Sequence, residues 1–189
     1  FNKSIKTTPT RVLKDIPGLK NYRLSDKNTF ELSIGNRVLS DEVVENGSIP
    51  IYSANIFEEF GRIDKQNITD FSVPSILWGI DGDWMVNIIP ANKPFYPTDH
   101  CGVLRIKTDD IIPKYMALAL QVEGEFERFS RSNRASTQRI SNLVIQIPSV
   151  IEQQKVIDEI EAIDKKISDE QAIISEQSEK VKSKFAEIF

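Results

Sequence analysis

From Ile151 onward, 39 residues pass without a proline or a glycine, and Ile160, Ile167, Ile174, Val181 and Ile188 recur at a strict interval of seven. No strand tolerates that pattern; it predicts one long helix with a heptad seam. The intermediate row begins with Val156 and Ile163 and then turns polar at Glu170, Gln177 and Lys184, while Ile157, Ile173 and Phe185 widen the stripe. Polar seam positions cost stability and set register or partner choice. At 1.5 Å per residue the helix is about 55–60 Å long, so it overruns the domain that 148 preceding residues can form. One apolar stripe on one helix needs a cover, either a second long helix of the same parent chain or a helix of another subunit. Packing along its own domain is the competing reading.

What precedes the helix leaves it no slack. Residues 143–148 (LVIQIP) read as a strand stopped by Pro148, and Ser149 stands at the cap with Glu152 three residues on. Upstream, 30–34, 49–53, 75–80, 84–89 and 102–107 read as short strands parted by Gly, Asn and Asp turns. Residues 113–129 open on Pro113 and place Tyr115, Met116, Ala119, Leu120 and Val122 at helical spacing, which predicts a helix of about four turns. The expected class is α+β, a globular mixed-sheet domain over 1–148 followed by a coiled-coil helix over 149–189. A chain opening on Phe1 is expected to be a fragment of something longer.

Composition excludes several classes. With 40% hydrophobic and 28% charged residues, the 189-residue chain has the material for one core and is not disordered. No apolar run reaches the ~18–20 residues of a membrane span, and the first residues lack the apolar centre of a signal peptide, so the expected location is the cytoplasm and no membrane is expected as partner. The lone cysteine, Cys101, excludes an internal disulfide, and with a single histidine it cannot build an ordinary zinc site. The net charge of −4 belongs to the tail, since 149–189 carries 6 basic and 10 acidic residues and 1–148 carries 18 of each. A low overall pI therefore says nothing against anion binding by the globular part. Its first 23 residues hold six basic side chains and one acidic.

Signals for catalysis are missing. The chain has no Gly-rich phosphate loop, no nucleophile elbow and no Asp/Asn-Pro-Pro-aromatic signature of an amino-methylating enzyme. His100 between Asp99 and Cys101 resembles a nucleophile pair, but neighbours on a strand face opposite ways. Asp99 with Arg105-Ile106-Lys107 resembles a metal nuclease whose acidic ligand has become Arg105. Asp64, Asp81 and Asp83 raise a cation site, yet Gly79–Asp83 is too short for a calcium loop and reads as a turn between strands. Trp78 and Trp84 bracket that turn, each a core residue or a loop-tip aromatic that meets a base or sugar.

One segment invites an anion. Arg128, Arg131, Arg134 and Arg139, four of nine arginines, fall within twelve residues that hold no acid. Arginine binds phosphate or guanine bidentately, Gln pairs with adenine, and Ser or Thr hydroxyls reach phosphate, so Asn133, Ser136, Thr137 and Gln138 complete a set suited to duplex DNA. Lys93 and Trp84 are counted with them as outlying contact candidates. A solvated basic loop, or one bridged to the acidic helix, accounts for the same composition.

The run ASTQRISNLVIQIPSVIEQQKVIDEIEAI resembles the junction of type I restriction–modification specificity subunits, in which a Thr-Gln loop and an Ile-Ser turn lead through a strand into a long helix. IPIYSANIFEEFGRIDKQ, SILWGIDGDWMVNII and FYPTDHCGVLRIK resemble the same family's target recognition domain, and the likeness spans about 30–189. Ala135 stands where that family carries glycine, and Pro148-Ser149-Val150 where it carries a Pro-Pro-Leu-like sequence. The resemblance implies a non-catalytic module: the domain reads half of a split site in double-stranded DNA, and the helix pairs as a spacer and docks methyltransferase subunits. On that reading Ile160, Ile163, Ile167, Ile174, Val181 and Ile188 pair with a second helix of the parent chain or of a homodimer partner. The chain itself would hold no cofactor, with S-adenosylmethionine, ATP and magnesium confined to partner subunits or a missing part. A coiled-coil scaffold that binds no DNA is the alternative.

Overall fold

The structure is a computed structural model that describes residues 18–186. Along the chain run β1 (Lys20–Arg23), β2 (Phe30–Ile34), β3 (Ile49–Tyr52), β4 (Gly61–Ile63), β5 (Ser75–Gly79), β6 (Val86–Ile89), β7 (Tyr96–Pro97), β8 (Cys101–Ile106), α1 (Pro113–Phe126), α2 (Thr137–Asn142), β9 (Val144–Ile147) and α3 (Val150–Ala186). The expected α+β class holds.

Strand β5 organises the rest. Its SILWG run is buried at every residue, as a strand without polar alternation must be when both faces are covered. It lies between β8 and β6 in an antiparallel sheet of order β2-β8-β5-β6. Ile76, Trp78 and Leu104 face Met116 and Leu120 of α1 together with Ile140, Ile145 and Ile147. On the other face Leu77, Cys101 and Val103 pack with Ile56, Ile89 and Phe95. A three-stranded sheet, β4-β3-β7, adds a smaller cluster of Ile49, Ile51, Ile63 and Tyr96.

The Trp78 indole needs a gap in the neighbouring strand, and Gly102 supplies it. The two residues are partners across the ladder, and a Cβ on Gly102 would sit 2.0 Å from Trp78 Cε2. Gly102→Ala is therefore expected to destabilise the fold by about 1–3 kcal/mol through overpacking. Urea denaturation followed by tryptophan fluorescence measures it, and an unchanged midpoint would show that the indole shifts freely.

The structure corrects several local expectations. Helix α1 stops at Phe126 rather than 129, because Arg128 takes a φ of 57° and turns the chain back. Its last carbonyls accept from the chain that follows, Glu123 O from the Glu127 N–H and Gly124 O from the Phe129 N–H, both at 3.0 Å, and just past the end Asn133 Nδ2 donates to Glu127 O at 2.9 Å and to Arg128 O at 3.0 Å. Residues 137–142, read as loop, form α2 with Ser136 at its cap, where Ser136 Oγ accepts from the Arg139 N–H. Trp84 lies in the turn before β6 rather than in it. Strands β1, β4 and β7 escaped the sequence reading: they are short, and each is defined by its pairing, β1 with the distant β9 and β4 and β7 with the two sides of β3.

Helix α3 starts as predicted, with Ser149 Oγ accepting the Glu152 N–H at 3.4 Å. Over its 37 residues it extends about 55 Å. Gln153 and Ile157 are buried against the body, and Lys114 of α1 pairs with Glu161 at 2.6 Å. From Glu161 to Ala186 every residue is exposed. Docking thus ends about three turns into the helix, and Ile163, Ile167, Ile174 and Val181 stand 49–64% exposed on the free portion. Ile160 is half-buried at the transition, whereas Ile188 and the basic stretch 1–17 lie outside the described residues. No helix among the described residues is long and apolar enough to cross a membrane.

Candidate nucleic-acid interface

The arginine-rich segment is fastened to the end of β5. The Trp78 indole N–H donates to Ala135 O at 2.8 Å, and the Ala135 N–H donates to Ile80 O at 3.1 Å. Ala135 is buried, so Arg134 and Ser136 emerge from a fixed point. Beside it opens a groove of about 660 Å³, lined by Ile34, Ile80, Asp99, Ser132, Asn133, Arg134 and Ser136–Arg139. A smaller groove of about 280 Å³, lined by Arg37, Val38, Ser53, Phe60, Thr98 and His100, shares Asp99 with the first. Together they form a two-part cleft across the ends of the sheet strands.

The site is not uniformly basic. Asp81, in the β5–β6 turn, takes Arg134 Nε and Nη2 on its two carboxylate oxygens, and His100 Nδ1 bonds the same group. Burial works against the Asp81 charge, but the His100 and Arg134 hydrogen bonds and the Arg134 charge outweigh it and hold the carboxyl below its ordinary 3.8. The contribution of such a depressed group is present above the unfolded-state value and lost as pH falls through the lower folded one, so the Asp81–Arg134 pair stands throughout the neutral range.

Six of the ten predicted contact residues, Asn133, Arg134, Ser136, Thr137, Gln138 and Arg139, come together along the larger groove. Their roles differ. Arg139 Nη1 donates to Asn133 Oδ1 and to Arg134 O, and its guanidinium lies 4.8 Å from the centre of the Phe129 ring, so this side chain braces its own loop. Arg128 and Arg131 precede the groove residues in the chain, outside the lining itself, and are exposed, with no ion pair among the described residues. Two candidates lie outside that groove. The Trp84 indole packs on Gly124 and Phe129 and donates to Gln121 O at 2.8 Å, so it serves the fold rather than a loop tip. Lys93 follows β6, at the opposite end of that strand from the Asp81 turn, away from the cleft.

Sequence reasoning missed Arg37, Phe60 and the joint role of Asp81 with His100. Phe60 is 63% exposed, an unusual position for a phenylalanine that only the structure reveals. Other chemistries find no support in the geometry. Cys101 is buried, and burial pushes its thiol up to about 12, far from a reactive thiolate. Asp64 is occupied by the Ser48 N–H and hydroxyl, at 2.8 and 3.0 Å. No group of three or more His, Cys, Asp or Glu side chains suited to a metal occurs among the described residues.

The family model of the type I restriction modification DNA specificity domain matches residues 19–177. The chain belongs to this family. It is similar to a putative type I specificity subunit N-terminus of Mycoplasma pneumoniae, 29% identical over 108 residues, 56% of each chain. The specificity subunit of the type I restriction enzyme MpnII from the same organism is 25% identical over 146 residues, 76% of this chain and 44% of the relative. The chain spans about half the length of the curated relatives it matches. The type I specificity fold is shared with the HsdS subunit of Thermoanaerobacter tengcongensis, at a TM-score of 0.63 and 15% identity over 85% of this chain and 42% of that one. It is shared too with the S subunit of M. genitalium, at 0.60 and 16% over 85% and 42%.

Proposed function

We propose that this chain is a non-catalytic DNA sequence-recognition unit that gives target specificity to a restriction–modification complex. The observation that carries the reading is the cleft at the strand ends, where a pinned, arginine-rich segment lines an open groove while α3 carries an apolar stripe that is exposed among the described residues. Family membership supports the assignment of both parts. The cleft meets double-stranded DNA, with Arg128 and Arg131 on phosphates and the groove residues on base edges. Residues up to 148, with the docked first turns of α3, form the recognition domain, and the free part of the helix pairs with a second long helix from the parent chain or another copy. Methyltransferase subunits dock on that assembly, and S-adenosylmethionine, ATP and magnesium belong to partner subunits.

Co-expression of the parent polypeptide with its methyltransferase in a methylation-free host, followed by genome-wide mapping of modified adenines, tests this directly. One split motif is expected, and it should vanish or change when residues 131–139 are exchanged for a neutral loop. Arg128→Gln/Arg131→Gln is expected to weaken duplex binding equally for all sequences and to lower the slope of log affinity against log salt by roughly 2, at about 0.9 per phosphate. A protein with no duplex affinity even at low salt, yet associating through α3, would be a scaffold instead.

A further inference from the structure

We propose that Asp81 is a positioning residue for base readout: it grips Arg134 side-on, so that the outer edge of the guanidinium reads a G·C base pair. The inference rests on the DNA-recognition reading and goes beyond it by assigning one base contact and its support. Asp81 engages Arg134 through Nε and one N–H of Nη2. Nη1 and the outer N–H of Nη2 stay available, and the Arg134 side chain is 58% exposed where it lines the larger groove. Those two parallel N–H groups form the edge that matches O6 and N7 of guanine.

The grip is itself held in place. Asp81 also receives His100 Nδ1 from the turn before β8, and Arg134 O accepts from Arg139 Nη1 at 3.1 Å. Next along the chain, Ala135 is tied to Trp78 and Ile80. An arginine fixed at both ends of its side chain loses little freedom on meeting a base. The pairing also has an electrostatic signature: the Asp81 carboxylate offsets the Arg134 charge, so Arg134 adds little to the sequence-independent attraction for phosphate. Removing the carboxylate should therefore harm discrimination and spare, or raise, affinity for unrelated DNA. A residue that merely stabilised the fold would lower both together.

The test uses the complex of parent polypeptide and methyltransferase subunits, its motif first mapped by methylation, with binding then measured on the motif and on each single-base change. Asp81→Asn is expected to reduce discrimination roughly 10- to 100-fold at one G·C position and leave the other positions intact. Off-target affinity should hold or rise, with the salt slope steeper by up to about 0.9. Arg134→Lys keeps the charge without the fork and should lose the same position, which covers the case of a poorly folding Asp81→Asn protein. Both variants keeping full discrimination, or losing cognate and unrelated binding in parallel, would overturn the proposal while leaving the recognition reading in place. A wild-type complex without any sequence preference would overturn both.

Discussion

Gln153→Leu is expected to destabilise the protein by about 3 kcal/mol, although leucine nearly matches glutamine in volume. Gln153 is fully buried, and its amide joins three segments: Nε2 donates to Asp110 O at 2.8 Å and to Pro148 O at 2.9 Å, and Oε1 accepts the Ile112 N–H at 2.8 Å. Leucine would leave one backbone donor and two acceptors unsatisfied. Each such group costs about 1–3 kcal/mol when buried, and the low end applies here because Asp110 is exposed and its carbonyl is near water. For a protein of this size the loss corresponds to about 6–12 °C in Tm. Thermal and urea denaturation measure it, and an unchanged midpoint would show that water replaces the amide. The consequence reaches function as well. Gln153 binds the start of α3 to the end of β9 and to the beginning of α1, so it sets the direction in which the helix leaves the body.

Local patterns in the sequence make much of this fold legible. The long helix, its Ser149 cap, the Pro113 start of α1 and the buried β5 run each carry their signal within one short stretch. What escaped depends on distant partners. Strand β1 exists because Lys20–Arg23 meets Ile147–Val144 across most of the chain, and no local propensity announces that. Helix α2 is six residues, less than two turns, too short for an apolar stripe to show. The candidate site divides in the same way. Clustered arginines are visible as charge, but their employment is not: Arg139 is spent on its own loop and on the Phe129 ring, and Arg134 is held by an acid 53 positions away. The turn at Gly79–Asp83 read correctly as a turn, yet nothing in it reveals that Asp81 would face His100 and Arg134 together.

The free part of α3 offers the largest expected effect. Ile163→Asp/Ile167→Asp/Ile174→Asp should abolish helix-mediated association, with a loss of at least about 5 kcal/mol, several thousand-fold in Kd. Each isoleucine buried in a paired seam is worth about 1.5–3 kcal/mol, and each aspartate adds an unpaired charge to a tail that already holds 10 acidic residues against 6 basic ones. The body should be spared, because all three positions lie beyond Glu161, where every described residue of α3 is exposed, these three side chains to 49–64%. Sedimentation at micromolar concentration reads the difference, with the unmodified chain associating and the variant monomeric; equal association would remove these residues from the interface. If the unmodified chain is itself monomeric, the cover must be another segment of a longer parent chain, and the same three substitutions placed there should lower its Tm instead. Either result follows from one physical fact: a helix about 55 Å long with an open apolar stripe is marginal alone in water, and its order depends on what it pairs with. On the proposed function, an exit helix ordered by pairing would set the position of this recognition domain relative to a second one, so the stripe would govern spacing in the assembly as the cleft would govern sequence.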